Sequence, residues 1–142
     1  MVEGYYDLCI RYLPEDDPAM ERLVSLAKRF GFKGAGITQA SNSKGPLSNN
    51  RYFNAYFDLA NGIEIHEDNP SKLHSQLGRY TRKVNFVIVQ GGADKLNRSA
   101  VETTDVDILS LPFGIKDGGL DHVIAKSAAD KGIALEFDVG SL

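Results

Sequence analysis

The stretch VNFVIVQGGADKLNRSAVETTDVDILSLP, residues 84–112, decides the fold class. Its two ends, residues 84–90 and 106–111, are short apolar runs rich in valine and isoleucine. That composition is typical of parallel strands that are buried on both faces. Between the runs, Gly91–Gly92 marks a turn and residues 94–103 are predicted to form a helix. A strand–helix–strand unit of this kind predicts an α/β protein with a parallel sheet.

The same alternation continues on both sides of this unit. Further strands are predicted at residues 5–12, 35–38, 62–66 and 133–139. Further helices are predicted at residues 18–30, 51–60, 71–80 and 121–131, with Asp17 and Asp121 as N-caps. By length alone an open, doubly wound sheet of six strands is favoured, because a complete (β/α)₈ barrel usually needs about 200–250 residues.

The composition is that of an ordinary globular chain, with 142 residues of which 42% are hydrophobic and 25% charged. This length suits a single domain, residues 1–142. The single cysteine, Cys9, cannot form a disulfide within the chain, and we expect it to be buried in the first strand. No apolar run approaches the roughly 20 residues that a membrane span needs, so a cytoplasmic protein without a membrane partner is expected.

The net charge of −3 argues against a free-standing nucleic-acid binder, which is usually basic overall. The acids are nevertheless segregated, because none lies in residues 22–57 or in residues 69–93. Such segregation predicts a positive and a negative face in the folded chain. The alternative interpretation is that solvated helix faces simply carry lysines.

The motifs that carry chemistry are weak when each is taken alone. The three histidines show no metal-ligand spacing, so no metal site is predicted. Gly91–Gly92, ahead of a helix, is compatible with a phosphate site, but a tight turn between strand and helix is favoured. His122 and Lys126 lie four residues apart on one predicted helix face. They are either phosphate contacts or solvated side chains.

A longer series of motifs resembles the ribonuclease P protein component 3 family. LNRSAVE, VDIL and GLDHVIAK, at residues 96–102, 106–109 and 119–126, carry this resemblance. YYDLCIRY and LAKRFGFKGAGIT, at residues 5–12 and 26–38, extend it to the start of the chain. It implies a TIM-like (β/α) barrel related to PHP-type phosphoesterases. With about six strand units this barrel is expected to be incomplete, with C-terminal strand units missing from the component 3 domain.

The resemblance implies a noncatalytic subunit that binds and supports the RNA that removes 5′ leaders from precursor tRNA. The implied partners are ribonuclease P RNA, precursor tRNA, a small ferredoxin-like protein subunit and the other protein subunits of ribonuclease P. No catalytic residue or protein-bound cofactor is expected, and Mg²⁺ is associated with the catalytic RNA. A PHP-like metal-dependent phosphoesterase is the alternative, and a metabolite-binding domain that uses the Gln90–Asp94 turn is the third hypothesis.

The resemblance also implies a set of RNA contacts in the C-terminal half of the chain. These residues, expected to bind backbone phosphates rather than bases, are Arg98, Lys116, His122, Lys126 and Lys131. Charge patterning adds three further candidate contacts in the second acid-free stretch, namely Arg79, Arg82 and Lys83.

Overall fold

A computed structural model describes residues 4–12, 16–43, 47, 57–113 and 119–141. Within these ranges lie six strands and four α-helices, which alternate except between β2 and β3, where no helix is described. The order is β1 (Tyr6–Arg11), α1 (Asp17–Arg29), β2 (Gly34–Ala40), β3 (Asp58–Ile65), α2 (Pro70–Tyr80), β4 (Phe86–Gln90), α3 (Asp94–Val101), β5 (Ile108–Ser110), α4 (His122–Lys131) and β6 (Ala134–Glu136). A short 3₁₀ turn at Val139–Ser141 follows β6.

The strands follow one another in the sheet in their sequence order, from β1 to β6. β1 pairs with β2, β4 with β5 and β5 with β6 in parallel register. This order confirms the incomplete TIM-like (β/α) barrel that the resemblance implies. The doubly wound sheet favoured by length alone is wrong, because a doubly wound sheet reverses its strand order at a switch point and this one does not.

The chain forms two compact units, residues 1–63 and 64–142. In the first unit, one face of α1 packs on the sheet, and the buried cluster is Ile10, Met20, Val24, Ala27, Ala35, Ile37 and Phe57. In the second unit, α2, β4, α3, β5 and α4 all contribute deeply buried side chains, which include Leu73, Ile88, Val101, Leu109 and Ile124.

The helix boundaries follow the predicted ones closely, with one capping correction. Asp16, not Asp17, caps α1, since the Asp16 carboxylate accepts the backbone N–H of Ala19 at 3.0 Å. Asp121 caps α4 as predicted, and Gly132 ends that helix in the left-handed region with φ of 70°.

The weakest predicted helix, residues 51–60, is wrong where the structure describes it. Residues 51–56 lie outside the described ranges, and Asp58, Leu59 and Ala60 belong to β3. The Asp58 backbone N–H donates to the Lys33 carbonyl at 3.1 Å, so a pairing with a strand distant in sequence overrides the local helical pattern.

Cys9 is exposed, which corrects the prediction of a buried cysteine. The register between β1 and β2 shifts between Asp7 and Ile10, and the Asp7 carboxylate accepts the Cys9 backbone N–H at 3.0 Å. A β-bulge of this kind inserts an extra residue and changes which side chains point inward. Only Ile10 of β1 is buried.

Candidate nucleic-acid interface

The turn that opens α3 is held by Asn97, whose side chain is wholly buried. Its Oδ1 accepts the Gly92 backbone N–H at 3.0 Å, and its Nδ2 donates to the carbonyls of Pro112 and Gly119, both at 2.6 Å. A β-carbon at Gly91 would collide with the Asn97 carboxamide. Glycine at position 91 therefore allows the Asn97 side chain to lie against the backbone of the turn. The tight-turn interpretation of Gly91–Gly92 fits the structure.

Arg98, the leading candidate contact, is engaged by two carboxylates. Its Nε lies 2.9 Å from Asp94 Oδ2, and its Nη2 lies 2.6 Å from Asp121 Oδ2. The side-chain hydrogen bond to Asp94 raises the pKa of Arg98 above its ordinary value. Arg98 thus joins the first turn of α3 to the N-cap of α4, with its side chain still 41% exposed.

Asp121 has two roles at the start of α4. Its Oδ1 accepts the Ile124 backbone N–H at 2.8 Å, and this hydrogen bond lowers the pKa of the Asp121 carboxyl. The positive charge of Arg98 lowers that pKa further. The carboxylate therefore stabilises a helix terminus and an ion pair at the same time.

The two candidate lysines of α4 also have partners within the protein. Lys126 Nζ lies 2.9 Å from Asp130 Oδ2 on the exposed face of the helix. Lys131 Nζ donates to the carbonyl of Val101, the last residue of α3, at 2.9 Å. Lys131 thus binds a carbonyl at the negative end of a helix, where a cation is favourable.

The candidate cations near the end of α2 are exposed. The Arg79 guanidinium lies 5.3 Å from the centroid of the Tyr80 ring. Arg82 and Lys83 follow the helix directly, and neither forms an ion pair with a described carboxylate. His122 is the exposed first residue of α4, while Lys116 lies outside the described residues.

The described candidates do not form a single cluster. In a parallel α/β unit each helix begins near the carboxyl ends of the strands and ends near their amino ends. Arg98 belongs to the last turn of α3, but its guanidinium reaches Asp94 and Asp121 at the starts of α3 and α4. His122 also lies at a helix start. Four other cations lie near helix ends, namely Arg79, Arg82, Lys83 and Lys131. Lys126 lies between, in the middle of α4. The sequence predicts these residues as one set of contacts, but in the structure they lie at opposite ends of the helices of the second unit.

The histidines are dispersed as well. His66 Nε2 lies 2.9 Å from Glu64 Oε1 after β3, and His74 Nε2 lies 3.3 Å from Ser99 Oγ between α2 and α3. No group of three His, Cys, Asp or Glu side chains in the described ranges is placed to hold a metal ion. No helix in those ranges is long and apolar enough to cross a membrane.

Asn97 is the residue that sequence reasoning missed. It lies beside Arg98 within the motif LNRSAVE, but its importance rests on partners that are five, 15 and 22 residues away. The Gly-Gly turn just before α3 is the only local sign in the sequence that a side chain lies against the backbone there.

The fold and these contacts define a TIM-like (β/α) protein whose described surface presents cations at both ends of its second unit. The chain belongs to the family described as ribonuclease P subunit p30, whose model matches residues 4–142. The resemblance found in the sequence is thereby confirmed.

Individual relatives agree with this assignment. The chain is 44% identical over 139 residues to ribonuclease P protein component 3 of Methanococcoides burtonii, with 98% of this chain and 57% of the relative covered. It is 37% identical over 131 residues to the protein of the same name in Methanosarcina acetivorans, covering 92% and 55%. The chain thus spans a little over half the length of these curated relatives.

A solved structure shares the fold as well. The match is to a chain in the cryo-EM structure of an archaeal ribonuclease P with mature tRNA, with a TM-score of 0.68 and 27% sequence identity. The matched region covers 92% of this chain and 56% of that one.

Proposed function

We propose that this chain serves as a noncatalytic protein subunit of ribonuclease P. It would support the catalytic RNA that removes 5′ leaders from precursor tRNA. The observation that carries the proposal is the family match over residues 4–142, together with relatives named ribonuclease P protein component 3. The related chain within an archaeal ribonuclease P with mature tRNA supports the same role.

The chemistry in this proposal belongs to the RNA and its associated Mg²⁺, while the protein supplies binding. A chain with a net charge of −3 binds RNA through local positive surfaces rather than through its overall charge. Exposed cations at helix ends would position backbone phosphates without reading bases.

The candidate contacts differ in what they can offer to a phosphate. Arg98 remains a proposed contact, since 41% of its side chain is exposed, but Asp94 and Asp121 already balance its charge. His122 is exposed beside that ion pair. Lys116, Lys126 and Lys131 are retained as proposed contacts of the same kind.

The proposed partners are ribonuclease P RNA, precursor tRNA, a small ferredoxin-like subunit and the other protein subunits of the holoenzyme. The test is reconstitution of catalytic RNA, the small subunit and precursor tRNA at modest Mg²⁺, with and without this chain. We expect cleavage to rise when the chain is added, and the chain alone to be inert.

Two results would count against the proposal. The first is unchanged RNA-based cleavage when the folded chain is added. The second is phosphodiester cleavage by the chain alone with Mn²⁺ or Zn²⁺, which would favour the phosphoesterase alternative.

A further inference from the structure

Helix α2 presents two different flanks on either side of its buried face. Successive residues of an α-helix are rotated by about 100°, and Leu73, Leu77 and Tyr80 form the buried face. On one flank, His74 lies against α3 through its 3.3 Å contact with Ser99. The opposite flank is directed away from α3.

This opposite flank carries a line of positive charge. Lys72 and Arg79 are seven residues apart, so they share one line on the helix about 10 Å long. Arg82 and Lys83 extend the positive charge directly beyond the helix end, where the Lys83 backbone N–H donates to the Tyr80 carbonyl at 2.8 Å. All four cations are exposed. We call Lys72, Arg79, Arg82 and Lys83 the α2 line.

The α2 line differs from the other candidate cations in its electrostatic environment. No acid occurs between residues 69 and 93, and no described carboxylate forms an ion pair with any member of the line. By contrast, Arg98 and Lys126 are paired with carboxylates, and Lys131 binds a helix carbonyl. An unpaired surface cation gives up no existing partner when it meets a phosphate, so its whole charge is available for binding.

The arrangement of the line indicates the shape of its ligand. A site for one free phosphate gathers its donors around a point, whereas these cations are spread along a helix. Ser75 and Gln76 are the residues that lie between Lys72 and Arg79 on this flank, and both are polar, so the flank has no apolar side chain for a membrane surface. An extended polyanion matches both features.

We propose that the α2 line binds the phosphodiester backbone of RNA, an inference that rests on the proposed ribonuclease P role. The Arg79 guanidinium lies against the Tyr80 ring, which limits its freedom before binding. At about 3.4 Å of axial rise per phosphate of one strand, a line of about 10 Å spans about three phosphates. Either the ribonuclease P RNA or precursor tRNA can supply this backbone.

The experiment compares the wild-type chain with the triple variant Lys72→Ala, Arg79→Ala, Lys83→Ala. Binding to each RNA separately is measured at several salt concentrations. We expect the slope of log affinity against log salt to fall by about 2 for the RNA that contacts the line, because each lost phosphate contact removes about 0.7–0.9. The RNA that shows the loss is the physiological source.

Two further variants separate local charge from net charge and from folding. Arg22→Ala, Arg29→Ala, Lys95→Ala removes the same charge from exposed positions on α1 and α3, and we expect the wild-type slope. Lys72→Arg, Arg79→Lys, Lys83→Arg keeps the charge and should also keep the slope. Circular dichroism melting must show the same Tm for all variants.

The outcomes distinguish failure of the α2 line as an RNA contact from failure of the ribonuclease P subunit role. If the α2 triple variant and its charge-matched control lose binding equally, or if neither loses it, the α2 line is not the contact and the subunit role stands. If the wild-type chain neither binds either RNA nor raises RNA-based cleavage, the subunit role itself fails.

Discussion

The two units of this chain both bury the apolar faces of their helices, but they differ in the polar contacts that hold those helices. In the first unit, α1 buries Met20, Val24 and Ala27 against the sheet. In the second, the helices also bury apolar side chains such as Leu73 and Ile124. Polar contacts are added there, through the hydrogen bonds of Asn97 and Lys131 and the ion pairs of Arg98. The comparison shows two contributions within one fold. Apolar packing has no preferred direction and holds a helix to the sheet, whereas polar contacts are directional and fix the positions of helix ends.

The exposed faces of α1 and α2, the first helix of each unit, also differ. α1 exposes a second apolar stripe, since Leu23 and Leu26 are about two-fifths exposed and Phe30 is 78% exposed. Polar and charged side chains dominate the exposed positions of α2, the first helix of the second unit. A surface of the first kind suits contacts with protein, and one of the second kind suits contacts with phosphates.

The largest expected effect comes from removing the buried hydrogen bonds of the Asn97 side chain in the second unit. Asn97→Ala would leave the Gly92 N–H and the carbonyls of Pro112 and Gly119 without the partners that the side chain gives them. We expect a loss of about 4 kcal/mol in the free energy of unfolding, since each unsatisfied buried group costs about 1–3 kcal/mol. Urea denaturation measures this loss.

The matched control for Asn97 is Asn42→Ala, which removes an exposed carboxamide from the first unit. Its free energy of unfolding should stay within about 0.5 kcal/mol of wild type. A loss below about 1 kcal/mol for Asn97→Ala would contradict the stabilising role of the Asn97 hydrogen bonds.

A slightly smaller effect is expected from opening a cavity in the first unit. Met20 is fully buried on the inner face of α1, so Met20→Ala should destabilise the protein by about 3 kcal/mol. Leu26→Ala, on the exposed stripe of the same helix, should cost less than about 1 kcal/mol. Hydrogen exchange would locate the damage, and exchange that rises as much in α4 as in α1 would show that the units do not respond separately.

The smallest effect concerns acid stability and the Asp121 carboxylate. Because the pKa of Asp121 is lowered in the folded state, its stabilising effect is fully present above the unfolded pKa of about 3.9. That stabilisation is lost as the pH falls through the lower, folded pKa. Asp121→Asn keeps a capping oxygen but not the charge.

The measurement for Asp121 is the free energy of unfolding of both proteins between neutral pH and about pH 2. We expect the advantage of wild type over Asp121→Asn to be constant at higher pH and to shrink below about pH 4. A difference that does not change with pH would show that the charge contributes nothing.

Much of the fold was predictable because its signals are local. The valine- and isoleucine-rich runs predict β4 and β5, and Asp121 with Gly132 marks the ends of α4. The strand order was not predictable from periodicity, which is the same in barrels and doubly wound sheets. Only the resemblance of whole motifs indicated the barrel.

The candidate site was less predictable, for a physical reason. Residue type identifies Arg98 and Lys131 as cations, but it does not identify the groups that they bind. Arg98 pairs with Asp121, 23 residues away, and Lys131 donates to the Val101 carbonyl, 30 residues away. The α2 cations are easier to interpret, because an acid-free stretch of sequence leaves no nearby carboxylate to pair with them.

The bulge in β1 has a consequence for solubility. β1 lies at the edge of the described sheet, and an edge strand offers unpaired backbone groups to any strand of another molecule. The register shift between Asp7 and Ile10 interrupts the regular spacing of those groups, and the Asp7 carboxylate already occupies the Cys9 N–H. A strand of another molecule therefore meets an irregular, charged edge, and the bulge in β1 makes that edge a poor template for intermolecular pairing.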